Sequence, residues 1–291
     1  MTYNQFIQAV ERKIEEAVKE EAFVSTYSAE KNNGVIRQGI TITQKEINIS
    51  PTIYLEDYYD KFQEGYELDH IVADILRLYK EVRIPKSWDE SVISSFEAVE
   101  EKIVYRLVNL EANRELLKGV PYVPYLDLAI IFYVMMEFND YGTACMLIRD
   151  EHLEMWNVTG KEVYRKAKDN TWKLLPAEFH TMRAVMEGLG GEKDYKGSDI
   201  LYVLTNKLRN FGAGVILYEG CLEMIAEYLK DDFYVLPSSV HEVIIVTAAE
   251  APEGSAGLSD MVSEINKTQV DAEEVLSDHV YYYDRDKKKL L

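Results

Sequence analysis

Cysteine, basic clusters, glycine-rich loops and long apolar runs are all scarce in this sequence, and each scarcity removes a class of function. Cys145 and Cys221 are the only cysteines, both set among apolar neighbours. Two thiols make no disulfide framework, which fits a reduced compartment. The longest apolar run, Leu128 to Met136, is nine residues, far short of the roughly 20 that cross a bilayer as a helix. The opening residues Met1-Thr2-Tyr3-Asn4-Gln5-Phe6 carry neither the basic nor the apolar segment of a secretory signal. A soluble cytoplasmic protein with no membrane partner is expected. Bases are also few: 32 Lys and Arg against 51 Asp and Glu give a net charge of −19, and the only basic cluster is Lys287-Lys288-Lys289. Phosphate backbones and anionic lipid surfaces repel such a chain, so no nucleic-acid partner is expected.

Cofactor and metal motifs are missing too. Gly188-Leu189-Gly190-Gly191 lacks the lysine of a phosphate loop, and Phe211-Gly212-Ala213-Gly214 lacks a third glycine. His241-Glu242 runs on into Val243-Ile244-Ile245 instead of a second histidine, and the five histidines are scattered. No cofactor-binding and no metal-ligating residues are therefore expected.

What is present is an ordinary globular composition, 47% hydrophobic in 291 residues, ample for a core. Phe6, Ile7, Val10 and Ile14 recur at helical spacing and predict a helix over 2–20. Strands are expected at 23–29 and 35–44, joined at Asn32-Asn33-Gly34, where a tight turn needs positive φ. Tyr54, Tyr58, Phe62 and Tyr66 fall four apart and predict one buried helix face. Further helices are expected at 68–80, 112–118, 178–188, 221–230 and 258–266, and Thr159-Gly160-Lys161-Glu162 has the spacing of a capping box opening another. Strands are expected at 102–110, 126–138, 143–149, 200–205, 215–218, 233–236, 242–248 and 280–283. Such alternation with many hairpins predicts an α+β fold with mainly antiparallel sheets and helices packed on them. Pro85 to Asp89 is the expected boundary between a small helix-plus-hairpin part, 1–85, and a larger α+β part, 86–291.

The larger part has a near-repeat. Tyr141-Gly142 precedes Leu153-Glu154-Met155, and Phe211-Gly212 precedes Leu222-Glu223-Met224; each copy continues to a Lys-Asp, a proline and a histidine. An internal duplication of a hairpin–helix unit is expected.

One turn concentrates chemistry. Leu236-Pro237-Ser238-Ser239-Val240-His241-Glu242 puts two hydroxyls, an imidazole and a carboxylate between two apolar strands. His241 could serve as base and Ser238 or Ser239 as nucleophile, with Glu242 orienting the imidazole if it bends back. The plainer account is a proline-serine turn with a locally bonded histidine, and no Gly-x-Ser-x-Gly elbow accompanies it. The 21 tyrosines favour half-wet surfaces that bury a ring and solvate a hydroxyl. From Glu250 to Asp278 eight acids meet one lysine; there Leu258, Met261, Val262 and Ile265 should dock the helix on one face.

The stretches Val104 to Asn109, Val120 to Ala129 and Leu236 to Glu242 resemble an uncharacterised bacterial family known only as a domain of unknown function, over nearly the whole chain. The resemblance implies bacterial cytoplasm; it carries over no activity, cofactor or catalytic residue and leaves the function open. The expected function is thus an acidic, non-catalytic binding or protein-interaction protein, with an unidentified protein partner or a second copy of itself. The alternative is a hydrolase using Ser238, Ser239, His241 and Glu242.

Overall fold

The computed structural model describes residues 1–19, 21–47, 50–83, 93–139, 142–188 and 200–291. Contacts divide the chain into two units, residues 1–31 with 35–92 and residues 32–34 with 93–291. Both are α+β with antiparallel sheets. The Pro85–Asp89 stretch lies outside the described residues, as do parts of the 139–142 turn and of Gly188 to Gly191.

The first unit is built from α1 (Tyr3–Val18), β1 (Ala22–Glu30), β2 (Ile36–Gln44), β3 (Thr52–Tyr54), α2 (Glu56–Gln63) and α3 (Leu68–Val82), the strands lying in the order β1-β2-β3. Thr2 and Gln5 form a reciprocal cap that stops the first turn of α1 from fraying. Phe6, Val10 and Ile14 share one face and are fully buried with Ile40, Ile71 and Ile75. Each such side chain contributes roughly 1.5–3 kcal/mol on leaving water. Asn33 (φ 60°) and Gly34 (φ 70°) supply the left-handed turn between β1 and β2. The aromatic stripe is shorter than its spacing suggests. Tyr58 and Phe62 pack on the core from α2, but Tyr54 belongs to β3 and Tyr66 follows the helix, exposed.

The second unit has two sheets. In the first, β6 (Leu128–Asn139) pairs with β4 (Ile103–Asn109), with β5 (Tyr122–Tyr125) and with β7 (Gly142–Leu147). The long apolar run exists because β6 is buried on both faces. Leu128, Ile130, Phe132 and Val134 enter the main core, while Ala129 and Ile131 enter a smaller one with Val108, Leu117 and Val120. The second sheet follows the order β13-β12-β10-β11-β9-β8. Its strands are β8 (Ala177–Thr181), β9 (Leu201–Asn206), β10 (Phe233–Leu236), β11 (Val243–Thr247), β12 (Tyr281–Asp284) and β13 (Lys289–Leu290). The helices are α4 (Phe96–Val99), α5 (Asp150–Trp156), α6 (Gly160–Leu174), α7 (Met182–Gly188), α8 (Cys221–Leu229) and α9 (Gly254–Thr268). The capping box at Thr159 and Glu162 does open α6, each side chain bonding the other's backbone N–H.

Three expectations are corrected. Residues 178–188 are not one helix: 177–181 form β8, because pairing with β9 and the stacking of Phe179 on Tyr202 (5.1 Å between centroids) outweigh local propensity. Residues 215–218 are not a strand: Gly212–Leu217 winds as a 3₁₀ helix. The counterpart segment Gly142–Leu147 is a strand, so the two aromatic-glycine segments fold differently and lend the expected duplication no support. The cause is close packing, since Gly212 lies against the backbone of β9 and of residue 241. In α9, Val262 and Asn266 are the buried residues, while Met261 and Ile265 stay exposed.

β5 enters β6 through a two-residue turn, Leu126-Asp127, since Tyr125 pairs with Leu128. Leu126 has φ 55°, a left-handed conformation that costs an ordinary residue about 1–2 kcal/mol. Leu126→Gly is therefore expected to leave stability unchanged or raise it by up to about 1 kcal/mol, whereas β-branched Leu126→Val should lower it. Urea denaturation of both variants reads the sign. The strained turn matters because of where it puts Asp127.

Candidate functional site

Among the described residues, two places in the second unit gather polar chemistry. At the 238–242 turn, Pro237 and Ser238 give their carbonyls to Ser277 and Leu276 N–H groups. The buried Ser239 accepts the His241 N–H on its Oγ (3.0 Å). The His241 ring is held at both nitrogens: Nδ1 accepts the Phe211 N–H (3.2 Å), and Nε2 lies 3.3 Å from Glu274 Oε1. An Nδ1 that accepts leaves the proton on Nε2. The carboxylate facing His241 is thus Glu274, from far along the chain, and not Glu242. Burial pushes the Glu242 carboxyl above its usual range and Glu274 adds to this, against the opposing pull of His241 and of a Ser239 hydrogen bond. Ser239 is tied to Glu242 and to the backbone, and neither ring nitrogen of His241 is turned over to a serine hydroxyl.

The second place was not visible in the sequence. Asp127, carried on the strained turn before β6, accepts Ser277 Oγ (2.6 Å) and His279 Nδ1 (3.0 Å) on Oδ2, and the Tyr281 hydroxyl on Oδ1. Burial alone would raise the Asp127 pKa. The hydrogen bonds from Ser277, Tyr281 and His279 outweigh it and hold the carboxyl below its ordinary value. The Tyr281 hydroxyl is pushed strongly up, by burial first and by Asp127 second. His279 N–H also bonds Ser277 Oγ (2.9 Å), which fixes the backbone beside the ring. The one sequence sign was the spacing of two in Ser277, His279 and Tyr281, which places alternate side chains on one side of an extended segment.

Asp127 and His279 stand on the wall of a cleft of about 570 Å³, with Asn109, Lys267, Asp278 and Glu111 among its other lining residues. That volume suits a small organic molecule. Asn266 also lines it. Its amide nitrogen bonds Ser277 O and Asp278 Oδ1, while its buried Oδ1 has no partner. A buried acceptor left unpaired costs roughly 1–3 kcal/mol, a deficit that a donor group on a ligand would remove.

Burial raises both thiols, Cys221 to about 11, which keeps them protonated and unreactive. Arg106 lies between the Tyr133 and Phe211 rings (4.1 and 3.8 Å) and donates to Cys145 Sγ. Among the described residues no group of three or more His, Cys, Asp or Glu side chains is placed to hold a metal ion, and no helix is long and apolar enough to cross a membrane.

Comparison with known proteins gives a family and no individual relative. A model of a family of unknown function, DUF5688, matches residues 3–285. No curated protein and no solved structure matches.

Proposed function

The chain belongs to this family, and we propose that its working site is the cleft over Asp127, where it binds a small neutral or cationic polar ligand. One observation carries the reading: Ser277, His279 and Tyr281 converge on a single carboxylate at the wall of a cleft of ligand size. Polar groups so fixed are preorganised, and a ligand need not spend affinity on ordering them. The charge of the ligand follows from the lining. Glu111, Asp127 and Asp278 outnumber Lys267 there, and the whole chain carries −19, so an anion would meet repulsion at long and short range. The same charge supports a protein that stays off nucleic acid, and the two protonated thiols, Cys221 buried and Cys145 half-buried, suit the cytoplasm.

The hydrolase reading of the 238–242 turn gains no support, because His241 has both ring nitrogens occupied away from the serines. Self-association is not needed for the site, since every group in it comes from one chain.

Ligand-observed NMR against a library of neutral, cationic and anionic fragments tests this reading. Hits should come from the first two classes and be lost in Ala112→Trp, which places an indole at an exposed cleft-lining position. Hits that are mainly anionic, or that survive Ala112→Trp, would contradict it.

A further inference from the structure

We propose that His279 is a general base of this cleft, taking a proton at Nε2 from a water that attacks the acyl carbon of a small uncharged ester. This rests on the cleft reading above and adds a reaction to it.

The argument is one of tautomers. Asp127 accepts three hydrogen bonds and is held ionised. An ionised carboxylate has nothing to donate, so His279 Nδ1, 3.0 Å away, must carry the ring proton. In the neutral form of the ring Nε2 then carries the bare lone pair. Among the described residues nothing bonds that nitrogen, and the side chain is 75% exposed at the cleft wall. His241 is arranged the other way, with Nδ1 accepting and Nε2 facing Glu274. Asp127 is a positioning residue here. Ser277 and Tyr281 fix its orientation, as the orienting acid of a hydrolytic triad is fixed. Ser277 itself is no nucleophile, because the residue is 1% exposed and its hydroxyl gives its proton to Asp127.

Water therefore supplies the attacking oxygen. As its O–H proton passes to Nε2, the oxygen bonds the acyl carbon; the ester C–O bond then breaks, and Nε2 returns the proton to the departing alkoxide. The sum is ester plus water giving acid plus alcohol, with the imidazole neutral again. The acidic lining disfavours an anionic ester and speeds departure of the carboxylate product.

Two measurements on the full chain decide the matter. Hydrolysis of 4-nitrophenyl acetate should fall by roughly 10²-fold in His279→Gln and stay unchanged in His70→Gln, an exposed histidine outside the cleft. Long-range ¹⁵N–¹H histidine spectra should place the His279 proton on Nδ1, and Asp127→Asn should move it to Nε2. A wild-type rate no better than that of His279→Gln, or an Nε2-protonated His279 in the wild type, overturns the proposal. Fragment hits that persist in the cleft without hydrolysis would sink the base and spare the binding site; absence of both would sink the two together.

Discussion

Replacing Gly212 by alanine is expected to lower stability by about 3 kcal/mol or more, the largest effect expected of a methyl added at any of the described glycines. A Cβ there would collide with Thr205 Oγ1 and would lie 2.5 Å from the His241 backbone oxygen and 2.7 Å from the Asn206 nitrogen. Two of these three atoms are backbone. Relief would need β9 or the 241 turn to shift, and the Thr205 hydroxyl would lose its 2.7 Å bond to His241 O. Overpacking a core typically costs about 1–3 kcal/mol, and more when the neighbours cannot yield. Gly119→Ala is the control, with nothing within 4 Å of the added methyl; it should stay within about 0.5 kcal/mol of wild type. Equal destabilisation in the two variants by urea unfolding would refute the packing account.

The second large effect is expected at Asp127. Asp127→Ala leaves Tyr281, Ser277 and His279 without their shared acceptor, and two of those donors, Ser277 and Tyr281, are buried. Hydrogen bonds to a charged group contribute roughly 1.5–3 kcal/mol each, less where solvent can substitute. A loss of about 3 kcal/mol is expected. Asp127→Asn should lose less, since it keeps one acceptor oxygen. The pH dependence has a definite sign. The folded carboxyl titrates below its usual value, so its contribution is complete above the unfolded-state pKa of about 3.9 and is lost as pH falls through the lower folded value. Below about pH 4 the stability gap between wild type and Asp127→Asn should therefore narrow. A gap constant from pH 7 to pH 3 would show that Asp127 is not held ionised by its three donors.

What could be read from the sequence was local. The face of α1, the cap of α6 and the run of β6 each announce themselves within one segment, through spacing or paired capping residues. Segments decided by distant partners were misread. Residues 177–181 became an edge strand because β9 was there to pair with them. Residues 212–217 curled into 3₁₀ turns because a bare glycine lets the chain pass close to β9. Pro124 obscured β5, which tolerates it as a strand that, among the described residues, pairs with β6 alone. The Asp127 site stayed hidden for the same reason. Its carboxylate and its three donors lie 150, 152 and 154 residues apart in sequence, and no motif spans that distance. The 238–242 turn caught attention because its groups are contiguous. Contiguity gave it a serine and a histidine but not a shared hydrogen bond, and the acid that meets His241 came from residue 274.

A crystallographic fragment screen tests the central claim most directly, because it shows where ligands go without assuming what they are. Fragments with amine or hydroxyl donors are expected to cluster in the cleft over Asp127, within hydrogen-bond reach of His279 Nε2. Fragments gathering elsewhere on the second unit, with this cleft empty at every soak, would contradict the assignment of Asp127, Ser277, His279 and Tyr281 as the working site.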